Sequence, residues 1–122
     1  MDNLIYIRLD GDSIGDKIEL ALLKGDVHAA KQIHESIQKS IKKIKNKIES
    51  NQKYNILMNG CDDILFSIDK ANYNIHFLKE LMTDFYSLSN CTLSIGVGCS
   101  VSETMHNLKI AKLSGKNMII EY

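Results

Sequence analysis

The sequence predicts an α+β fold in which helices cover one face of an antiparallel sheet. Segments with the two-residue alternation of strands lie between segments whose apolar residues recur every three or four positions, as they do in helices. The predicted order is β-αα-ββ-α-β-α-β, and its first four strands with their helices give the ferredoxin-like βαββαβ arrangement. With 122 residues and 44% apolar side chains, we expect one domain over residues 1–122.

The individual elements follow from the same patterns. We predict strands over residues 3–10, 53–58, 63–68, 91–97 and 116–121 and helices over residues 26–50 and 72–87, with two further helices that end near Leu23 and Ser114. Ser13 is the expected cap of the first helix, and Ser102 or Thr104 that of the last. The strand at 91–97 has small outward residues, which leave room for something to lie on the sheet.

The turn Asn59-Gly60-Cys61-Asp62-Asp63 places two carboxylates side by side. Adjacent acids repel each other unless a cation or hydrogen-bond donors satisfy both. In the predicted fold the first and third strands are antiparallel neighbours, so Asp10 at the end of one meets Asp62 and Asp63 at the start of the other. Converging carboxylates are typical of Mg²⁺ or Mn²⁺ sites, and we expect such a site here.

Two further segments indicate a phosphate ligand. The turn from Gly11 to Gly15 offers free backbone N–H groups at a helix N-terminus, which bind anions. Lys112 and Lys116 either end the last helix in the ordinary way or neutralise phosphates, and the nearby acids favour the second interpretation. A divalent metal beside a phosphate cradle predicts a nucleoside triphosphate, on which a metal pair can activate a ribose hydroxyl.

Composition and charge exclude several other classes. Fifteen basic and fifteen acidic residues cancel, so the chain has no overall field for a nucleic-acid duplex or an anionic membrane. The lysine-rich face of the helix at 26–50 is interpreted as solvated surface, since glutamates interrupt it and no aromatic residue is present for stacking. Without a basic leader or an apolar span, we expect a cytosolic protein in which Cys61, Cys91 and Cys99 are reduced.

Four blocks of this sequence together resemble a known family. Leu9–Gly15, Gly60–Asp63, Thr92–Val97 and Ala111–Asn117 are similar to motifs of the palm domain shared by GGDEF diguanylate cyclases and the large subunit of type III CRISPR complexes. They occur in the family's order, and the resemblance extends over nearly the whole chain. A single palm without a sensor, an HD nuclease or a second palm looks most like the stand-alone minimal CRISPR polymerases (mCpol), which make cyclic nucleotides in anti-phage defence.

The resemblance implies a metal-binding set. Asp10 would ligate metal through its side chain and Gly11 through its carbonyl, and Asp62 would be the ligand shared by two metal ions. Asp63 would complete the site or hold the attacking ribose. Asp12 would have a supporting role and would not itself bind the metal.

The resemblance also implies a triphosphate-binding set. The backbone of Ser13, Ile14 and Gly15 would hold the triphosphate, and Lys112 and Lys116 would clamp its outer phosphates.

Two positions depart from the family pattern. Cys61 replaces the second glycine of the turn and adds a Cβ where the family keeps the backbone bare. Ile18 stands where diguanylate cyclases carry the asparagine that reads guanine, so we expect ATP rather than GTP as the substrate.

Two functions follow as hypotheses. The first is a metal-dependent nucleotidyl cyclase that joins ATP into a cyclic di- or oligonucleotide, acts as a homodimer because one palm holds one triphosphate, and signals to an effector protein. The second is a degenerate palm that binds nucleotides or serves dimerisation. A template-directed polymerase would need a basic channel that a neutral chain does not show.

Overall fold

The computed structural model describes residues 3–122; Met1 and Asp2, at the start of the predicted domain, lie outside the described part. Residues 3–122 form five strands, four α-helices and a short 3₁₀ helix at Lys70–Asn72. The strands are β1 Leu4–Gly11, β2 Asn55–Asn59, β3 Asp63–Asp69, β4 Leu93–Gly98 and β5 Ile119–Ile120. The helices are α1 Ile14–Leu23, α2 Val27–Ser50, α3 Ile75–Ser89 and α4 Val101–Leu113.

The strands form one sheet in the order β2-β3-β1-β4-β5. The first four are antiparallel to their neighbours, whereas the short β5 runs parallel to β4. The α+β fold and the central position of β1 beside β3 are therefore confirmed. The register places Asp10 directly opposite Asp63, so the predicted meeting of the two strand ends is confirmed as well.

The main core lies on one face of this sheet. Ile5, Ile7 and Leu9 of β1 are completely buried there, together with alternate residues of β3 and β4. Isoleucines of α2 at helical spacing and Leu78, Leu81 and Phe85 of α3 pack onto the same cluster. The alternation in the strands and the three-to-four spacing in the helices thus define the same buried layer.

Helix α4 lies on the opposite face, so the expectation that the helices cover one face is wrong for this helix. A Cβ on Gly96 would collide with the backbone of α4 at Thr104 and Leu108, and one on Gly98 would lie 2.7 Å from the Thr104 nitrogen. The small outward residues of β4 therefore make room for a helix. Asn107 also donates a hydrogen bond to the Val97 carbonyl at 2.7 Å, which fixes α4 on β4.

The capping residues predicted for two helices are wrong. Helix α4 is capped by Ser100, whose Oγ accepts a hydrogen bond from the Glu103 nitrogen at 3.1 Å, and not by Ser102 or Thr104. Ser13 precedes α1 in a left-handed conformation, with φ of 58°, and its side chain makes no capping hydrogen bond.

No helix within residues 3–122 is long and apolar enough to cross a membrane.

The close approach of α4 to β4 gives a first prediction. Gly96→Ala should lower the free energy of unfolding by about 2 kcal/mol or more, because the added methyl group meets helix backbone that cannot rotate away. Urea denaturation measures this change. Gly15→Ala is the control, since nothing lies within 4 Å of the added carbon and alanine favours a helix. Equal stability of Gly96→Ala and the unmodified protein would contradict the packing described for α4.

Candidate functional site

Asp12 is the buried centre of the region where β1 ends. Its side chain is 3% exposed, and its two oxygens accept hydrogen bonds from the hydroxyls of Thr92 and Ser94, each at 2.7 Å. The Asn117 nitrogen at 3.0 Å and the Lys112 ammonium at 2.7 Å complete the set. Burial alone would raise the pKa of Asp12, but these donors hold it below its ordinary value. The carboxylate is therefore ionised and fixed, in line with the supporting role predicted for it.

The Lys112 ammonium lies among backbone and carboxylate oxygens at the end of β1. Besides Asp12, it donates to the Gly11 carbonyl at 2.9 Å and lies 3.6 Å from a carboxylate oxygen of Asp10. This lysine comes from the last turn of α4, so it ties the helix on one face of the sheet to the strand at its centre. It stands close to the acids as predicted, with its nitrogen bound to protein oxygens.

Asp10 and Asp62 form a close pair of carboxyl groups. Burial raises the pKa of Asp10 to about 6; Lys112 opposes this rise, and the negative charge of Asp62 adds to it. Burial also raises the pKa of Asp62, with a further contribution from Asp63, and the protonated Asp10 can donate a hydrogen bond to Asp62. The backbone fixes the pair, because the Gly11 nitrogen donates to the Asp62 carbonyl at 2.9 Å. These two acids thus share a site in which their negative charge is costly.

Asp63 points to a different partner. Its Oδ2 accepts a hydrogen bond from the Arg8 guanidinium at 2.7 Å, and both side chains are only about a quarter exposed, at 27% and 25%. Asp63 lies directly across from Asp10 in the sheet, yet its charge is directed to Arg8. Arg8 was not among the residues predicted for the site.

The turn that carries the two acids is closed by a hydrogen bond from the Gly60 nitrogen to the Asp63 carbonyl at 2.9 Å. A Cβ on Gly60 would collide with the Asp63 carboxylate, so a side chain at this position would displace that carboxylate. Cys61 is exposed and does not adopt a positive φ, so its Cβ is accommodated without backbone strain. In this turn the first glycine of the family's pattern therefore keeps Asp63 in place, and the second can be a cysteine.

The predicted phosphate cradle is placed beside Lys116. Ser13 is left-handed, Ile14 and Gly15 begin α1, and the Lys116 ammonium donates a hydrogen bond to the Ser13 hydroxyl at 2.7 Å. Lys116 belongs to a loop in which it and its neighbours Gly115 and Asn117 all have positive φ. Such a backbone costs energy for a lysine, and here the adjacent bonds from Asn117 to Asp12 and Ser94 hold it.

Four residues of this network were missed as site residues: Arg8, Thr92, Ser94 and Asn117. For Thr92 and Ser94 the sequence did contain a signal, because both are small outward residues of the predicted strand at 91–97. The sheet register then places Ser94 opposite Asp10. Arg8 lies on the same face of β1 as Asp10, two residues away. Only the folded loop at 115–117 could reveal the backbone donor of Asn117.

The oxygen donors suit a hard divalent cation. Among residues 3–122, no three His, Cys, Asp or Glu side chains cluster closely enough to hold one metal ion. Asp12 is enclosed and Asp63 is paired, which leaves Asp10, Asp62 and the Gly11 carbonyl; the Lys112 ammonium also contacts Asp10 at 3.6 Å and this carbonyl at 2.9 Å. Mg²⁺ is typically held by one or two carboxylates and completes its shell with water and substrate phosphates, so this set fits it.

The sequence pattern of the mCpol family, the minimal CRISPR polymerase domain, matches residues 6–122. The chain belongs to the mCpol family. The resemblance predicted from the four sequence blocks is therefore confirmed. No curated protein matches the sequence.

Solved structures with the same fold come from two groups. A Csm1–Csm4 cassette in complex with cA4 has a TM-score of 0.74 and 16% identity, over 95% of this mCpol chain and 20% of that chain. The diguanylate cyclase SiaD of Pseudomonas aeruginosa, in complex with its activator SiaC, has a TM-score of 0.61 and 13% identity, over 98% of this chain and 50% of that one. At these identities the similarity shows the fold alone, and the chain spans from a fifth to a half of these proteins.

The pKa values give a prediction for the pH dependence of stability. Because the pKa of Asp10 in the folded protein is about 6, above its ordinary 3.8, its ionisation costs stability above pH 6, and this cost shrinks as the pH falls towards 4. In metal-free buffer at pH 8, Asp10→Asn should raise the free energy of unfolding by about 1 to 3 kcal/mol. The gain should decline below pH 6, as measured by urea denaturation in EDTA.

Asp12→Asn is the matched control and has the opposite sign. The pKa of Asp12 is lowered by its donors, so its carboxylate contributes stability at neutral pH that is lost as the pH falls below its ordinary range. This variant should be less stable than the unmodified protein at pH 8. A destabilised Asp10→Asn at pH 8 would contradict the strained pair described here.

Proposed function

We propose that this mCpol chain is a metal-dependent nucleotidyltransferase that joins ATP molecules into a cyclic di- or oligonucleotide and releases pyrophosphate. The observation that carries this proposal is the Asp10–Asp62 pair, which the bond from the Gly11 nitrogen to the Asp62 carbonyl holds at the end of β1, just before α1. Two half-buried carboxylates with raised pKa values favour a cation between them. Helix N-termini bind phosphate groups, so the triphosphate belongs at Ser13, Ile14 and Gly15.

Adenine is the base that the available observations favour. The Csm1–Csm4 cassettes that share this fold were crystallised with cA4, cA3, pppApA and pppApApA, all of them adenosine compounds. In this chain Ile18 occupies the position at which diguanylate cyclases read guanine with asparagine. Ile18 also lines an open groove of about 430 Å³ between α1 and α2, whose walls include both apolar residues such as Leu22 and charged ones such as Lys31.

The reaction needs correct placement more than acid–base side chains. A ribose hydroxyl oxygen of one nucleotide forms a bond to the α-phosphorus of another, the bond between the α- and β-phosphates breaks, and the hydroxyl proton passes to water. Bound Mg²⁺ or Mn²⁺, as a pair, would lower the pKa of the hydroxyl and neutralise the departing pyrophosphate. Asp10, Asp62 and the Gly11 carbonyl would hold the metal ions, while the start of α1 and Lys116 orient the phosphates.

Ring closure between two nucleotides requires two triphosphates, and one palm of this size holds one of them. We therefore propose a homodimer whose two sites face each other, acting in the cytoplasm as part of anti-phage defence. Its product would be read by a downstream effector protein that binds cyclic nucleotides. No membrane and no stable nucleic-acid partner is part of this proposal.

A palm that binds nucleotides without turnover is the second candidate. Three hydrogen bonds favour it: the Lys112 nitrogen already bonds to Gly11 and Asp12, and the Lys116 nitrogen bonds to Ser13. If these contacts persist when a nucleotide is present, neither lysine is available to the outer phosphates. Calorimetry that finds tight, metal-independent ATP binding without product would favour this candidate.

The activity is tested by incubating the purified protein with each nucleoside triphosphate and Mg²⁺ or Mn²⁺ and identifying products by mass spectrometry. We expect a cyclic adenosine product, and Asp62→Asn should lower kcat by about a hundredfold or more, because a metal ligand is lost. Asp84→Asn is the matched control, since Asp84 pairs with Lys47 on the helices away from the site. Saturated binding of every nucleotide without any product would contradict the enzymatic proposal.

The two lysines should respond differently to substitution. Lys116→Met should raise KM for ATP about tenfold and change stability little, because a charged hydrogen bond to phosphate is lost while only the Ser13 hydroxyl loses a partner. Lys112→Met should lower the free energy of unfolding by about 2 kcal/mol, because Asp12 and Gly11 lose a donor at a buried position.

Steady-state kinetics and urea denaturation of both lysine variants separate the two roles. If Lys112→Met were as stable as the unmodified protein and only its KM for ATP were raised, Lys112 would have to leave its protein partners and bind the triphosphate, which would contradict its structural role.

A further inference from the structure

Arg8 is a charged residue inside the sheet that the sequence motifs do not account for. It lies in β1 two residues before Asp10 on the same face, between Leu65 of β3 and Gly96 of β4. One terminal nitrogen donates to Asp63 at 2.7 Å, and the other lies 3.2 Å from the sulfur of Met105. Within residues 3–122, its Nε is the buried side-chain nitrogen or oxygen that has no hydrogen-bond partner.

The guanidinium depends on Asp63 for its charge balance. The Arg8 side chain is 25% exposed, its sulfur acceptor is weak, and its Nε is unpaired, so the one strong contact is the Asp63 carboxylate. A largely desolvated cation is costly unless an anion neutralises it. Loss of Asp63 would leave the guanidinium without a hydrogen-bonded anion and with only the weaker attraction of Asp10.

Asp63 is held from both sides. Its Oδ2 faces Arg8, while its Oδ1 occupies the space that a Cβ on Gly60 would take. The carbonyl of the same residue closes the turn by accepting the bond from the Gly60 nitrogen. The bare glycine therefore lets the Asp63 carboxylate fold back over the turn and reach the guanidinium.

We propose that Arg8 is a positioning residue that withholds Asp63 from the metal, so that the Asp62-Asp63 turn supplies one metal ligand and not two. This inference rests on the proposed function. The two acids of the turn then have separate tasks: Asp62 joins Asp10 and the Gly11 carbonyl, and Asp63 neutralises Arg8.

The affinity of the nucleotide-free protein for Mn²⁺, measured by electron paramagnetic resonance, tests this assignment. Asp62→Asn removes a ligand and should weaken Mn²⁺ binding by about tenfold or more, which is about 1.4 kcal/mol, whereas Asp63→Asn removes none and should change the affinity far less. Arg8→Met frees Asp63 and should tighten binding. In the Arg8→Met background, Asp63→Asn should then weaken binding by about tenfold, because Asp63 has become a ligand there.

If Asp63 acted on the metal only through its charge at a distance, Asp63→Asn would change the Mn²⁺ affinity by the same factor with Arg8 and with Arg8→Met, and this result would overturn the proposal. An Asp63→Asn variant that binds Mn²⁺ as weakly as Asp62→Asn would overturn it too. If the unmodified protein binds no Mn²⁺, the proposed function fails together with this inference; if it binds Mn²⁺ and only the Asp63 pattern is wrong, the proposed function stands.

Thermal unfolding in EDTA supplies the second measurement. Asp63→Asn should lower Tm by about 4 °C or more, and the double variant Arg8→Met with Asp63→Asn should recover most of that loss, because the buried charge is gone. Arg8→Lys is the conservative variant if Arg8→Met does not fold; it keeps the charge without the planar fork and should weaken the hold on Asp63. A Tm raised by Asp63→Asn alone would show repulsion from Asp62 rather than pairing with Arg8, and would overturn the proposal.

Discussion

The buried carboxylate of Asp12 is the contact on which the arrangement at the end of β1 depends. It receives donors from Thr92 and β4, from the end of α4 and from the loop at 115–117, so three separate parts of the chain meet at this carboxylate. Because Asp10 and Gly11 precede it in the chain, fixing Asp12 also fixes the carboxyl and the carbonyl that face the proposed metal. The carboxylate remains ionised because the donors outweigh the cost of burial. A supporting acid thus determines the geometry of the acids that would act.

Two of the acids around the end of β1 form short ion pairs, and the other two do not. Asp12 is paired with Lys112 and Asp63 with Arg8, each at 2.7 Å. Asp10 and Asp62 instead face each other, and burial raises the pKa of both, although Lys112 lies 3.6 Å from Asp10 and opposes the rise. Such an incompletely neutralised pair lowers the stability of the fold, and groups with shifted pKa values are common at functional sites. In an mCpol protein, a bound metal ion beside a triphosphate would remove it.

Much of the fold and part of the site could be predicted from the sequence. Alternation in β1 and β3 and the element order were enough to bring Asp10 to the turn acids, because antiparallel neighbours meet end to end. The side of the sheet taken by α4 could not be predicted, since small residues such as Gly96 accommodate a helix as well as a ligand. The partner of each acid was equally hidden. The spacing of residues in the sequence predicts that Asp63 lies near the other acids. That its side chain is directed to Arg8 can be seen only in the three-dimensional structure.

The most direct test of this account is a crystal structure of the protein with Mn²⁺ and a non-hydrolysable ATP analogue, with the metal located by anomalous scattering. The account predicts manganese bound by Asp10, Asp62 and the Gly11 carbonyl, the triphosphate at the start of α1, and Asp63 still paired with Arg8. Manganese bound by Asp63, or a nucleotide bound elsewhere without metal at the Asp10–Asp62 pair, would contradict it.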